Sequence, residues 1–273
     1  MASGVSDTAL VAEVERSVVE CFSLFGRTEG GELYEDGGLT WICSLPFPPY
    51  SGVLESRLSE AAIRDALERI DLFYRIRRAQ YFWLVGPSAS PPSLRPLLRG
   101  RGFHVGEPLT GMAADIGGLA RPGKLPRGCE IREVRDPVSR RSYLRLQVER
   151  WAVPEAYVDR LARMDAYSDA HPEETRRWLA YRDEVPVGKV FLHLGSRAAS
   201  VYGVAVVPEA RGLGLGTALT LTAFEAAAQA GHDLAVLHSS DIAFGMYVRM
   251  GFRALCELEP FIEPREGSVA AAP

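Results

Sequence analysis

The stretch from Val201 to Gly231, VYGVAVVPEARGLGLGTALTLTAFEAAAQAG, gathers residue types that could hold a charged ligand. Gly212, Gly214 and Gly216 crowd the entry to an alanine- and leucine-rich run, Thr217 to Ala230, that contains no helix breaker and stops at Gly231. In a helical turn each glycine would cost about 1 kcal/mol against alanine, so helix propensity does not account for them. Without side chains their backbone N–H groups can converge on an anion, and the helix N-terminus adds roughly half a positive charge at the same place. The pattern reads as a phosphate cradle, with a plain tight turn as the alternative. Downstream, Tyr247 stands four residues before Gly251-Phe252.

Two common phosphate-binding patterns are not met. The chain's only lysines are Lys124 and Lys189, so no lysine follows the glycines as an NTPase loop requires. A dinucleotide site would need GxGxxG and an acid at the end of the next strand, whereas here Gly216 and Thr217 follow and Asp233 precedes that strand. A nicotinamide oxidoreductase therefore stays only as a rival reading.

The elements that must position these residues are legible in the surrounding pattern. Val201 to Val207 is β-branched and apolar and reads as a buried strand ended by Pro208. Before it, strands are expected at Glu130–Val134, Leu179–Asp183, Lys189–Leu194 and Ser200–Val206, and helices at Pro137–Trp151, Glu155–Arg163 and Glu173–Leu179. Gly117 to Gly128, GGLARPGKLPRG, lacks any period and reads as a linker. Ahead of the linker, helices are expected at Leu10–Phe25 and Glu60–Arg75, and strands at Leu39–Ser44, Ser51–Leu58 and Tyr81–Val85.

The two halves share an order of strand, short helix, Gly-Phe and strand. FWLVG, then LLRGRGF, then a strand ending at Met112 to Ile116 is answered by LAVLH, then YVRMGF, then a closing strand near Ala254 to Leu258. The first half lacks the chemistry: only Leu58-Ser59 separates its strand from its helix, and Leu98 stands where Tyr247 does.

With 273 residues, 47% hydrophobic and 24% charged, the chain is long enough for two globular domains. A net charge of −4 and no basic run disfavour a nucleic-acid partner, and no segment has the roughly 18 apolar residues of a membrane helix. The expected setting is cytoplasmic. Cys21, Cys43, Cys129 and Cys256 lie far apart and the five histidines show no ligand spacing, so reduced thiols and no metal are expected.

Arg211-Gly212-Leu213-Gly214-Leu215-Gly216 after a strand, followed by Tyr247-Val248-Arg249-Met250-Gly251-Phe252, resembles the GCN5-related N-acetyltransferases (GNAT) over about Cys129 to Phe261. The resemblance implies a mixed α/β fold of two GNAT-like domains, each a largely antiparallel sheet flanked by helices. Residues 1–117 would be a degenerate domain without a CoA loop, 118–128 the linker and 129–273 the catalytic domain. It also implies an N-acyltransferase that moves acetyl from acetyl-CoA to a primary amine of a small molecule; a homodimer is compatible with it. A CoA-binding sensor or an acyl-CoA decarboxylase on the same fold is the alternative.

Carried onto this sequence, the N–H groups of Arg211, Gly212, Leu213, Gly214, Leu215 and Gly216, with Thr217, would hold the CoA pyrophosphate. Val204, Ala205 and Val206 would pair with the pantetheine amides, and Tyr247 would be the general acid at the departing sulfur. Ser240 stands where many members have a CoA-contacting asparagine, and Val201 where many have a carboxylate base. An amine of pKa about 10 must lose a proton before attack. His238 leads the candidates for that base, with His193, Glu149 or an ordered water behind it.

Overall fold

The computed structural model describes residues 6–264; the outer ends of the expected domains, 1–5 and 265–273, lie outside the described residues. Its elements are α1 (Asp7–Arg27), β1 (Glu32–Asp36), β2 (Leu39–Cys43), β3 (Ser51–Ser56), α2 (Ile63–Ile76), β4 (Phe82–Val85), α3 (Leu94–Gly100), β5 (His104–Val105) and β6 (Leu109–Asp115). There follow β7 (Cys129–Glu133), α4 (Pro137–Trp151), α5 (Val158–Ala170), β8 (Thr175–Arg182), β9 (Val185–Leu194), β10 (Ala199–Val206), α6 (Leu215–Gln229), β11 (Leu234–Ser239), α7 (Asp241–Met250) and β12 (Arg253–Ile262).

The chain divides into two units, but not at the expected linker. The larger unit takes Gly111–Leu255 together with the first part of α1, up to Ser17. Among the described residues, the smaller takes Val18–Thr110 and 256–264. Residues 118–128 therefore belong to the larger unit, where Ala120 N–H donates to the Met250 carbonyl at the end of α7 (3.0 Å). The closing strand is longer than expected, and its second part, from Cys256, pairs antiparallel with β4 and β5 of the smaller unit.

Each unit is a mixed, mostly antiparallel sheet flanked by helices. In the smaller unit the order is β1-β2-β3-β4-β12, with β3 and β4 parallel and α2 crossing between them. In the larger it is β6-β11-β10-β9-β8-β7, with β10 and β11 parallel and α6 crossing between them. The hairpin strand β1 escapes a sequence reading because its residues are mostly exposed and polar.

The helix expected at Glu173–Leu179 is instead the start of β8. Both faces of this strand are covered: Trp178 and Ala180 join the core under α6, while Leu179 and Tyr181 pack with Tyr143 and Leu146 of α4. A strand buried on both sides shows no polar-apolar alternation. Asp136 caps α4 by accepting from Val138 N–H (2.8 Å) and Ser139 N–H (3.0 Å), and Pro137 opens the first turn. Helix α4 is thereby fixed over β9, on the face opposite α6.

Candidate active site

The parallel pair β10 and β11 is in register only from Ala199 opposite Ala235 to Val201 opposite Leu237. Beyond this point β10 runs on to Val206, and its register with β9 shifts between Tyr202 and Ala205. Residues 202–206 are half-buried, so the β10 edge facing β11 opens just past the bulge. Val204, Ala205 and Val206, the expected pantetheine partners, line it.

At the end of this edge the glycine loop turns the chain into α6. Gly212 and Gly214 have φ of +77° and +75°, a region side-chain-bearing residues avoid, and a Cβ at either would meet no atom within 4 Å. Gly214 is the N-cap and has no side chain to satisfy the first N–H groups of α6, those of Leu215, Gly216 and Thr217. The result is an uncapped helix start facing open space, which fits a phosphate. Arg211 flanks it, its Nε donating to the Val206 carbonyl (3.3 Å). Leu213 is half-buried against the core cluster. Ser240, by contrast, is the N-cap of α7 and its side chain makes no capping bond.

The Tyr-x-x-x-Gly-Phe signature has a structural explanation. Gly251 takes φ +110° and ends α7, Phe252 N–H donates to the Tyr247 carbonyl (3.1 Å), and the Phe252 ring packs edge-on to Tyr247 at 6.0 Å. This is a Schellman stop with its apolar contact, and it dictates every fixed position except the phenol oxygen. Thr220 of α6 neighbours the hydroxyl. The Thr220 hydroxyl itself donates to the Gly216 carbonyl (2.9 Å). Burial pushes the Tyr247 pKa up to about 12, which keeps it protonated at physiological pH. Thr220 is thus a neighbour of Tyr247 that sequence reasoning missed, although its position one turn after Gly216 could have found it.

His238 does not sit as an open base. Its Nε2 lies 3.2 Å from the Val14 carbonyl of α1, which can only accept, so Nε2 carries the proton. Its Nδ1 is buried with no hydrogen-bond partner among the described residues, and the ring stacks on Tyr202 at 5.7 Å. Tyr202 in turn donates to the Ser17 carbonyl (2.9 Å), so α1 covers the place where β10 and β11 part. Burial holds the His238 pKa down near 4, leaving a neutral ring and a poor base.

The other candidate bases are structural or exposed. His193 is buried against Ser200 (3.5 Å), and Glu149 is exposed and 3.7 Å from Arg145. Val201, in the position of the family carboxylate, lies in the apolar core under α6.

The structure brings in a group that the sequence did not single out. Lys189 of β9 is 2% exposed, with Nζ 3.2 Å from Gln147 Oε1 and 3.4 Å from Tyr143 Oη. The same Nζ lies 4.5 and 4.6 Å from the ring centroids of Tyr143 and Trp151. Next to it Arg177 is buried between Asp165 (3.2 Å) and Asp169 of α5. Four elements supply this box, so no sequence motif announces it.

Residues 143–252 match the acetyltransferase (GNAT) family model. Among solved structures, a GCN5-related N-acetyltransferase from Kribbella flavida is similar with a TM-score of 0.69 at 19% identity, over 91% of this chain and 96% of that one. One from Sphaerobacter thermophilus is similar with a TM-score of 0.62 at 16% identity, over 85% and 83%. A tandem GNAT protein from the clavulanic acid biosynthesis pathway gives 0.59 at 15%, over 91% and 88%. Among curated proteins none matches. The parted strands, the glycine loop and the segment that matches the acetyltransferase (GNAT) family model coincide in the larger unit.

Proposed function

We propose that the larger unit transfers an acetyl group from acetyl-CoA to a primary amine of a small molecule. The observation that carries this reading is the open edge of β10, which runs from the parting of β10 and β11 to the uncapped start of α6. The pyrophosphate would rest on the N–H groups from Arg211 to Thr217, and the pantetheine amides would pair with Val204 to Val206 as an added strand. Tyr247, protonated and reaching α6 from α7, would donate a hydrogen bond to the sulfur as negative charge grows there. The net charge of −4 does not repel a cationic acceptor.

Calorimetry with acetyl-CoA, followed by thiol release in the presence of a panel of small primary amines, tests this. One site per chain and amine-dependent thiol release are expected. Failure to bind any acyl-CoA overturns the reading. Binding without thiol release to any amine replaces it with a CoA sensor, and carbon dioxide release from malonyl-CoA replaces it with a decarboxylase.

A further inference from the structure

The chain has 29 arginines and only two lysines, and one of those two is in the core. Arginine serves even the buried cation beside it, Arg177, so a fixed positive charge is not what sets Lys189 apart. What lysine can do and arginine cannot is give up its proton.

The position of Lys189 gives that capacity a use. Gly203 lies in the β10 bulge, just before the open edge, and a Cβ built there would be 3.4 Å from Lys189 Nζ and 3.3 Å from the Trp151 indole. The amino group therefore lies against the backbone of the opening, on the α4 face of the sheet, while the glycine loop begins α6 on the opposite face. A thioester entering from the loop and an amine entering beneath α4 would meet beside it.

Resting on the acetyl-transfer reading above, we infer that Lys189 is the base of the reaction, taking a proton from the acceptor ammonium at the parting of β10 and β11. The ammonium proton passes to Nζ, and the freed lone pair forms the C–N bond to the thioester carbonyl carbon. The C–S bond breaks with its electron pair on sulfur, the second amine proton ends on that sulfur as thiol, and Nζ returns its proton to water.

The surroundings tune Lys189 for this. Facing it are Tyr143 and Arg150 from α4, Asp165 with Asp169 behind it from α5, Arg177 from β8 and the Gly203 backbone from β10, with His193 farther along its own strand face. Burial is the largest influence and lowers its pKa; Asp165 opposes this, Arg177 and Arg150 add to it, and the amine comes to rest at about 7. A base poised there is half neutral at physiological pH.

With two lysines, protein labelled at the lysine ε-carbons gives two NMR signals, and Lys124→Arg assigns them. The Lys189 signal is expected to titrate near pH 7 and to move when acetyl-CoA is added. Lys189→Met and Lys189→Arg should both lower thiol release from acetyl-CoA, with butylamine or water as acceptor, by 10- to 1,000-fold. Both should lose the rising limb near pH 7 and bind acetyl-CoA as wild type does. A Lys189 midpoint above 10, unchanged turnover in Lys189→Met, or rescue by Lys189→Arg, which keeps the cation but cannot deprotonate, would overturn the role. Wild-type protein that binds no acetyl-CoA would instead overturn the acetyl-transfer reading itself.

Discussion

The β3–α2–β4 crossover of the smaller unit and the β10–α6–β11 crossover of the larger one have the same connectivity and opposite outcomes. Each joins two parallel strands through a helix, and each is followed by a helix ended by Gly-Phe. In the larger unit β10 outruns its parallel partner and leaves an edge open. In the smaller unit the matching edge is closed: Ser90 N–H donates to the Ser56 carbonyl (3.0 Å), Leu58 N–H donates to the Ser90 carbonyl (3.2 Å), and the Trp83 indole donates to Ser56 Oγ (3.1 Å). Its helix starts from Ala62 in ordinary right-handed conformation, without a glycine turn. A strand edge already stitched to its own chain cannot accept an added strand. Two differences, a free edge and a glycine turn at the helix start, separate the two crossovers.

The largest effect should come from removing the second of these. Gly214→Glu places a carboxylate where the pyrophosphate would lie and strains a left-handed turn. Acetyl-CoA affinity should fall by at least about 1,000-fold, or about 4 kcal/mol. Wild-type protein should bind one acetyl-CoA per chain by calorimetry. Two equivalent sites, or residual wild-type affinity in Gly214→Glu, would break the contrast between the units.

Next is the hydroxyl that Tyr247 has and Leu98 lacks. At a pKa of about 12 the phenol is a far weaker acid than a thiol near 8.5, so full proton transfer to a free thiolate would be uphill by about 5 kcal/mol. On the proposed acetyl transfer its use would be as a donor that strengthens in the transition state. Tyr247→Phe should lower kcat by about 10- to 1,000-fold, about 1.4 to 4 kcal/mol, with acetyl-CoA affinity nearly unchanged. Unchanged kcat with chemistry rate-limiting would reduce Tyr247 to the packing role of Leu98.

What could be read from the sequence follows the same divide. The glycine loop was legible because Gly212 and Gly214 serve one local turn, and the Gly-Phe repeat because a Schellman stop is set within six residues. The division of the chain was not, because the pairing of Phe261 with Trp83 and Val105 joins residues far apart in sequence. Strand β8 was hidden by burial on both faces. Lys189 passed as one more residue of a strand face, since Tyr143, Gln147, Trp151, Asp165 and Arg177 become its surroundings only after α4 and α5 pack on the sheet. His238 was legible as a strand end, but its cover by α1, more than 200 residues earlier, was not.

A smaller effect concerns His238, whose place at the end of β11 is taken in the smaller unit by Gly86 after β4. The folded pKa near 4 lies below the unfolded value near 6.5, so between these values the unfolded chain binds more protons. Stability is therefore full above pH 6.5 and falls as the pH drops toward 4, by about 3 kcal/mol at most from this group. His238→Gln cannot charge, so its unfolding free energy should lose less than that of wild type between pH 6.5 and 4.5 in urea titrations. An identical acid dependence would show that the ring is not held neutral under α1.

The smallest effect tests what the units share. Gly102 at φ +86° ends α3, with Gly102 N–H donating to the Arg99 carbonyl (3.0 Å) and Phe103 N–H to the Leu98 carbonyl (3.1 Å), the same stop that Gly251 and Phe252 make after α7. An alanine Cβ would meet Pro264 Cγ at 3.3 Å in the first and the Gly118 carbonyl at 3.4 Å in the second, so the left-handed backbone rather than a clash sets the cost. Gly102→Ala and Gly251→Ala should each destabilise their own unit by about 1 to 2 kcal/mol, read as faster amide exchange in α3 or α7. Only Gly251→Ala should also lower thiol release, because its stop positions Tyr247, whereas Leu98 positions nothing that reacts. Equal losses of activity in the two variants would mean that the Gly-Phe stop serves the chemistry in both units, and the smaller unit would then be more than a scaffold.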